Sequence, residues 1–269
     1  MKKLVAFTLL LFLAFPAGAQ DRVISDDDWC DENGWNNNLE SYCEVQEFGL
    51  DADRDRIRVD GGQNGGIRIK GWDKDEILVR AKVTGYARSE SKAKELADGV
   101  KVITGRTIEA DVPERDRSWG KKAWVSVSFE VYVPHKSNLA LDTYNGGLSI
   151  KDVEGDMSFD VLNGGVSLVH VAGNVEGHTT NGGLSVKLEG NSWRGEGLDV
   201  KTTNGGVTLK IPENYSAQLE TGTVNGRLNF DFPVTVKGKL DRKISTTLGD
   251  GGKTIRIMTT NGAVSVKRS

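Results

Sequence analysis

Proline, cysteine and histidine are scarce in this chain of 269 residues, which has five prolines, two cysteines and three histidines. The low proline count excludes a Pro-rich disordered chain or a collagen-like chain. Basic residues are not in excess, because 35 Lys and Arg face 38 Asp and Glu, for a formal net charge of −3. This balance argues against a nucleic-acid-binding protein built on a basic surface. Glycine, in contrast, occurs 33 times, which indicates many tight turns between strands.

Long hydrophobic runs are lacking as well. The apolar run at residues 4–15 is too short for a membrane-spanning helix. Two lysines precede it and Ala17-Gly18-Ala19 follows it, a pattern typical of a secretory signal peptide that is cleaved after Ala19. No lipid attachment is expected, because the first cysteine is Cys30. We therefore expect residues 1–19 to be a signal peptide and the mature protein to be exported, without a transmembrane segment, to the periplasm, the outer surface or the medium.

Cys30 and Cys43 lie in an acidic segment at residues 20–43. In an oxidising compartment such a pair predicts one disulfide, and closing a loop of this size contributes about 3 kcal/mol in the chain-entropy model. The acidic residues of the segment are contiguous, whereas a calcium loop spaces its acids alternately. No histidine lies nearby. We expect a solvated acidic linker with one disulfide, and neither a metal nor a cofactor.

An Asn-Gly dipeptide recurs along the chain and defines a repeat. The copies that define the repeat begin at Asn64, Asn145, Asn163, Asn181, Asn204, Asn225 and Asn261. From Asn145 onward the steps are 18, 18, 23, 21 and 36 residues, and the last step is twice the first.

The residues that flank each Asn alternate between apolar and polar. Three and five positions after Asn stand Leu148 and Ile150, Val166 and Leu168, Leu184 and Val186, Val207 and Leu209, Leu228 and Phe230, and Val264 and Val266. A polar residue separates the members of every pair. Because this period-two pattern predicts half-buried strands, each repeat in residues 140–269 is predicted to contain two short strands joined at the Asn-Gly corner.

Two architectures fit these strands. Asn-Gly between alternating segments is a strong hairpin signal, which would give an antiparallel meander whose apolar face needs a cover. No helical pattern after residue 140 supplies one. A single-chain β-solenoid needs no cover, because each coil closes around its own apolar interior and stacks on the next. We favour the solenoid, in which the repeated Asn is a turn residue that tolerates positive φ or a member of a stacked hydrogen-bonding ladder.

The first half of the chain is less regular. Strand-like alternation is found at residues 55–59, 67–70, 76–85, 107–112 and 124–133. Between them, Ser89 is a suitable N-cap for a helix over residues 89–102 with one apolar face. We predict an irregular β part at residues 44–139 with this helix inserted to cover one end of the solenoid, and an exposed charged loop at residues 114–122.

A resemblance to a known family arises at this point. The strand at residues 125–134, which ends in Val-Pro, and the coil that follows with Asn145-Gly146-Gly147 resemble the bacterial "putative adhesin" family of β-strand-repeat domains of unknown function. The resemblance covers roughly residues 44–269. It implies a right-handed β-solenoid, or parallel β-helix, at or outside the cell envelope, and it implies no catalytic residues.

The repeat also predicts charged columns on the surface of a stacked solenoid. Six positions after Asn stand Lys151, Val169, Lys187, Lys210, Asp231 and Lys267. The four lysines, Lys151, Lys187, Lys210 and Lys267, are our candidate ligand-binding residues, for an anionic envelope or extracellular polysaccharide. A solvated face that keeps the sheet soluble is the alternative.

Motifs typical of enzymes are absent: the sequence has no Gly-x-Ser-x-Gly elbow, Walker loop or His-Glu-x-x-His pair. Asp142 and Asp160, predicted one coil apart, are the pair that a polysaccharide lyase or hydrolase would use. A third alternative is an envelope module that recognises a cell-surface protein through the open end of the solenoid. The last strand, with Lys267 and Arg268, has the charges of a protected edge. We favour a non-catalytic adhesion, binding or scaffold module.

Overall fold

The structure is a computed structural model that describes residues 22–24, 28–31, 39–53, 55–113, 123–233 and 242–269. The predicted signal peptide and the predicted loop at residues 114–122 lie outside the described residues. The described residues contain two helices, α1 at Asp28–Asp31 and α2 at Glu90–Asp98. All other regular elements among the described residues are strands.

Seven of the strands precede the loop at residues 114–122. They are β1 at Arg22–Ile24, β2 at Glu40–Asp51, β3 at Ile57–Asp60, β4 at Ile67–Trp72, β5 at Glu76–Ala87, β6 at Lys101–Thr104 and β7 at Ile108–Asp111. Fourteen more strands follow that loop. They are β8 at Trp124–Pro134, β9 at Leu139–Asn145, β10 at Leu148–Lys151, β11 at Glu154–Asn163, β12 at Val166–Val169, β13 at Ala172–Asn181, β14 at Leu184–Lys187, β15 at Gly197–Asn204, β16 at Val207–Ile211, β17 at Ala217–Asn225, β18 at Leu228–Phe230, β19 at Lys243–Leu248, β20 at Thr254–Asn261 and β21 at Val264–Arg268.

The strands form two sheets that are parallel through the repeat. Sheet A has the order β1-β2-β5-β8-β4-β10-β12-β14-β16-β21-β18, and sheet B has the order β19-β17-β20-β15-β13-β11-β9-β3-β7-β6. In the repeat, the strand before each Asn-Gly corner lies in sheet B and the strand after it lies in sheet A. The chain therefore passes between the two sheets at every corner.

The register of the repeat excludes the antiparallel meander. The two strands that flank Asn163 do not pair with each other: β11 pairs in parallel with β13, and β12 pairs in parallel with β14. Asn163 faces Asn181, and Val166 faces Leu184, each eighteen residues away along the chain. Each pair of strands around one Asn-Gly corner is hereafter called a rung.

The order of the rungs differs from their order along the chain. The last rung, β20 and β21, lies between the Asn204 rung and the Asn225 rung. The expectation that the final strand is a protected edge is therefore wrong, since β21 pairs with β16 on one side and β18 on the other. In this arrangement Val264 and Val266 of the interior strand β21 are fully buried, whereas Leu228 and Phe230 of the outer strand β18 remain partly exposed.

The core lies between the two sheets and continues into the first half of the chain. The 23-residue step from Asn181 to Asn204 adds residues to the connection before β15. In that connection the side chain of Trp193 is 7% exposed, and its Nε1 donates to the carbonyl oxygen of Gly173 at 2.9 Å. The longer step thus brings a large aromatic ring to the edge of the core.

The first half extends both sheets instead of forming a separate unit. β3 pairs in parallel with β9, and β4 pairs in parallel with β10, so these strands form the first rung. Beyond β4, sheet A continues through antiparallel pairings of β8 with β5 and of β5 with β2. Strand β2 was not predicted, and it crosses the expected boundary at residue 43.

Helix α2 is shorter than the predicted segment 89–102. Ser89 is its N-cap, and its side chain accepts a hydrogen bond from the Lys92 backbone N–H. The helix ends at Asp98 because Gly99 follows as C-cap and the chain enters β6 at Lys101. It packs on β5 and β2. Near α1, the predicted disulfide between Cys30 and Cys43 is confirmed.

Candidate functional site

The repeated asparagines form one hydrogen-bonded ladder at the corner between the sheets. Asn163 Nδ2 donates to Asn145 Oδ1 at 2.9 Å. The same bond, at 2.8 Å in each case, joins the pairs Asn181 to Asn163, Asn204 to Asn181, Asn261 to Asn204 and Asn225 to Asn261. At the first rung, Asn145 Nδ2 donates to the carbonyl oxygen of Gln63 instead, so Asn64 lies outside the ladder.

The explanation of the repeated Asn by positive φ is wrong. None of the seven Asn residues has positive φ. The glycine that follows is required by close stacking of the corners, because a Cβ on Gly164 would lie 1.9 Å from the carbonyl oxygen of Gly146. Two positions before Asn, a threonine hydroxyl donates across the rungs, for example Thr202 Oγ1 to the Gly182 carbonyl at 2.8 Å. The Asn-Gly corner is therefore a structural device built from side-chain bonds and close backbone contact.

The four predicted binding lysines lie in one column on the outer face of sheet A. Lys187 faces Lys210, and Lys210 faces Lys267, on successive rungs. Val169 separates Lys151 from Lys187. The spacing of paired strands places neighbouring members about 4.8 Å apart along the sheet. Two residues back along each strand runs a parallel column of hydroxyls, and its members are Ser149, Ser167, Ser185, Thr208 and Ser265.

These two columns together are hereafter called the lysine face, and its members are Ser149, Lys151, Ser167, Val169, Ser185, Lys187, Thr208, Lys210, Ser265 and Lys267. The side chain of Lys151 lies 3.5 Å from Asp152 Oδ2. Lys187, Lys210 and Lys267 are exposed, and within the described parts of the chain no carboxylate comes within 4.0 Å of their ammonium groups. The face thus presents three ammonium groups on successive rungs, none of which forms a salt bridge with a described residue.

Sequence reasoning missed how the column ends on the side of β4. Lys70 faces Lys151 in register, and its Nζ lies 2.7 Å from Glu130 Oε1. Arg68 and Arg80 bond the same carboxylate at 3.2 and 2.9 Å. Burial opposes ionisation of Glu130, whose side chain is 4% exposed, but hydrogen bonds from Lys70 and Arg80 lower its pKa to about 2. The Glu130 pairing also raises the pKa of Lys70 against the opposing effect of burial.

Trp29 lies over this cluster of charges. Its ring centroid is 5.8 Å from the Arg68 guanidinium carbon, 5.7 Å from that of Arg80 and 5.7 Å from Lys82 Nζ. Such contacts are favourable because the face of an indole ring is electronegative. The neighbouring Cys30 links the segment to β2 through the disulfide. The predicted solvated linker therefore includes at least one residue that packs on sheet A.

An acidic column lies on the outer face of sheet B. Asp60 faces Asp142, and Asp142 faces Asp160, so the predicted Asp142–Asp160 pair is placed on adjacent paired strands. Burial, followed by the charges of Asp60 and Asp160, raises the pKa of Asp142. The next member is His178, whose Nε2 lies 3.0 Å from Thr203 Oγ1. Asp142, Asp160 and His178 line a groove of about 450 Å³.

Next to it, a mixed column carries both signs of charge. Arg256 lies between Asp199 and Glu220 in register and bonds them at 3.1 and 2.8 Å. Arg256 therefore neutralises these acids in part, whereas Asp60, Asp142 and Asp160 form no salt bridge with a described residue. No group of three or more His, Cys, Asp or Glu residues in the described ranges could hold a metal ion. Helices long and apolar enough to cross a membrane are likewise absent from the described part of the chain.

Residues 137–267 match the model of the family described as Toastrack DUF4097. The match begins just before β9 and ends within β21, so it contains every rung from Asn145 to Asn261. The resemblance to a bacterial family of β-strand-repeat domains is thereby confirmed for the repeat.

Several solved structures of bacterial proteins align with this chain over most of their own length. A "putative cell adhesion protein" from Clostridium sporogenes is 11% identical, with a TM-score of 0.46 over 86% of this chain and 100% of that chain. A "putative adhesin" from Bacteroides fragilis is 10% identical, with a TM-score of 0.38 over 87% and 98%. A "putative lipid binding protein" from Parabacteroides distasonis is 12% identical, with a TM-score of 0.32 over 86% and 97%. No curated protein matches the sequence.

Proposed function

We propose that this toastrack domain is a non-catalytic binding module of the cell envelope and that its lysine face binds an anionic polysaccharide. The observation that carries the proposal is the unneutralised column of Lys187, Lys210 and Lys267 at the regular spacing of the rungs. A polymer with regularly placed carboxylates or other anionic groups can contact several of these ammonium groups at once. The hydroxyl column beside them supplies hydrogen-bonding groups for the neutral parts of a sugar.

The rigidity of the face supports this proposal. The lysines stand on strands whose backbones are paired on both sides, and the residues that alternate with them are buried in the core. Such a surface loses little conformational freedom of the backbone when a ligand binds. Each exposed ion contact contributes only about 0.2–1 kcal/mol, so affinity would come from many contacts along one chain of polymer.

We propose export on the basis of two features. The disulfide between Cys30 and Cys43 is typical of an oxidising compartment, and the first 19 residues have the pattern of a cleaved signal peptide. We also propose that the rungs wind as a right-handed β-solenoid, because connections between parallel strands are right-handed in about 98% of cases. The envelope is then the place where the module meets its ligand.

The proposal is tested by replacing Lys151, Lys187, Lys210 and Lys267 with glutamine. The purified mature protein is titrated with a soluble polysaccharide of uronic acids and with a neutral polysaccharide of similar length. We expect binding of the acidic polymer by the parent, an affinity at least about tenfold lower in the variant, and weaker binding as salt is raised. The neutral polymer should bind weakly to both proteins.

A matched control replaces four exposed lysines outside the lysine face, Lys101, Lys201, Lys243 and Lys253, with glutamine. This control has the same net charge as the test variant, so any difference between the two reports the position of the lysines. Equal affinities in parent, test variant and control would refute the lysine face as the binding surface. Cleavage of the polymer by the parent would refute the non-catalytic assignment and would direct attention to Asp142 and Asp160.

A further inference from the structure

We infer that Asn225–Gly226, at the open end of the asparagine ladder, is a site of spontaneous deamidation, whereas the five other ladder copies of Asn-Gly are protected. The inference rests on hydrogen bonds at the corner and is independent of what the lysine face binds. All six copies share the same two residues. They differ in whether another rung lies beyond them.

The chemistry needs only the protein and water. The backbone nitrogen of the glycine attacks the side-chain carbonyl carbon of Asn and forms a C–N bond, while the C–N bond to the side-chain amide breaks and ammonia leaves. Water then opens the resulting succinimide ring to give aspartate or isoaspartate. Nothing is oxidised or reduced. Asn followed by Gly is the dipeptide most open to this attack, because glycine has no side chain to hinder it, and Asn is among the heat-sensitive residues of proteins.

The interior copies hold both reacting groups in place. The backbone N–H of Gly164 donates to the carbonyl oxygen of Asn181 at 3.0 Å, and the Oδ1 atom of Asn163 accepts the amide of Asn181. The same pair of bonds is made at every other interior copy. The glycine N–H bonds run from Gly146, Gly182, Gly205 and Gly262 to the Asn of the next rung, at 3.0–3.1 Å.

Asn225 lacks both restraints. Its Nδ2 donates to Asn261, but no donor reaches its Oδ1, and no acceptor meets the N–H of Gly226 among the described residues. Gly226 is exposed, whereas the glycines of the interior copies are half-buried. The nucleophile, the carbonyl carbon and water can therefore meet at this copy. Asn64 is also outside the ladder, but its glycine, Gly65, is buried, unlike Gly226. The reaction rate at Asn225 is therefore compared with the rates at the interior copies.

Modification at Asn225 would alter the end of the fold. An isoaspartate adds a methylene to the backbone and converts a neutral amide into a carboxylate. The bond from Asn225 Nδ2 to Asn261 would be lost. The neighbouring contact, in which Thr223 Oγ1 donates to the Gly262 carbonyl at 2.9 Å, depends on the same backbone alignment. Among the ladder copies, the modification would thus accumulate first at the outermost rung.

The test incubates the full folded protein at mildly alkaline pH and physiological temperature, digests it, and follows each Asn-Gly peptide by mass spectrometry. Loss of ammonia and addition of water increase the mass of the affected peptide. We expect Asn225 to react at least about tenfold faster than the five interior copies, which corresponds to about 1.4 kcal/mol in activation free energy. A rate at Asn225 equal to or below that of Asn163 would overturn the inference.

Two controls separate protection by the fold from local sequence. In the chain unfolded by urea, the six copies should react at similar rates, and a persistent excess at Asn225 would contradict protection by the ladder. The Asn225→Gln variant should lose the mass increase in its peptide while the interior peptides stay unchanged. If the mass increase remains in that peptide, another residue is the site and the inference fails.

Discussion

At the scale of single residues, the two adjacent glycines of a corner have different surroundings. In the Asn181 rung, a Cβ on Gly182 would lie 1.9 Å from the carbonyl oxygen of Gly164, on the neighbouring rung. A Cβ on Gly183 would meet no atom closer than the Gly206 carbonyl oxygen at 3.5 Å, an ordinary contact. Neither residue has positive φ. Close stacking therefore requires glycine at the first position and only permits it at the second.

We predict opposite outcomes for alanine at these two positions. Gly182→Ala forces neighbouring backbones apart and should lower the free energy of unfolding by about 3 kcal/mol or more. Gly183→Ala should leave it unchanged or raise it by up to about 1 kcal/mol, because alanine reduces the freedom of the unfolded chain. Urea denaturation of the two variants and the parent measures both values. Equal destabilisation by the two variants would contradict the stacking explanation.

The same corner shows what the sequence could reveal about a residue. The spacing of the Asn-Gly copies predicts correctly that the corners align. A hydrogen-bonded ladder was one of the two explanations offered for the repeated Asn. The explanation of the repeated Asn by positive φ failed. Asn-Gly is common in turns, but the dipeptide by itself says nothing about how closely the next rung stacks on it. This close contact, in which a Cβ on Gly164 would clash with the neighbouring rung, arises only when the sheets are assembled.

At the scale of elements, Glu130 joins three strands of sheet A. It stands on β8, accepts bonds from Arg68 and Lys70 on β4, and accepts a bond from Arg80 on β5. β4 and β5 lie on opposite sides of β8. A nearly buried carboxylate thus neutralises three cations where the parallel rungs meet the antiparallel extension. Removing it would leave Arg68 and Lys70 close together without this counter-charge. Arg80 would keep its ion pair with Glu47 at 2.9 Å.

We predict that Glu130→Gln lowers the free energy of unfolding by about 3 kcal/mol at neutral pH. The folded-state pKa of about 2 lies below the ordinary value of 4.5. The stabilisation is therefore complete above about pH 4.5 and is lost as the pH falls towards 2. Denaturation curves of parent and variant should converge over that interval.

Glu76→Gln, which removes an exposed pair with Lys74, is the control and should lower the free energy of unfolding by less than about 1 kcal/mol. A pH-independent difference between parent and Glu130→Gln would contradict the assigned pKa.

Sequence periodicity predicted elements well where a strand has one buried face. The rungs and the strands β4, β5 and β8 follow the alternation closely. It failed for β2, whose neighbours in register are supplied by β5 across a long connection. The lysine column could be predicted because one period generates it, whereas the Glu130 cluster depends on pairing between residues 62 positions apart. No local pattern contains that pairing.

At the scale of the whole molecule, the order of the rungs does not follow their succession along the chain. The 36-residue step from Asn225 to Asn261 is compatible with simple succession, and nothing local to either copy contradicts it. The structure instead places the last rung inside, with β17 joined to it in parallel and to β19 in antiparallel fashion. The asparagine ladder runs through this insertion without a break.

This insertion makes the chain end a bridge between the Asn204 rung and the Asn225 rung. In the described part of the chain, β15 and β16 contact the Asn225 rung through β20 and β21. We therefore predict that truncation after Lys253 abolishes slow hydrogen exchange in β17 and β18, while the rungs from Asn145 to Asn181 keep theirs. A chain that lacks only Ser269 is the control and should exchange like the parent. Retained protection of β17 and β18 in the truncated chain would mean that the Asn225 rung can stack directly on the Asn204 rung, so that ladder continuity and not the inserted strand stabilises this end.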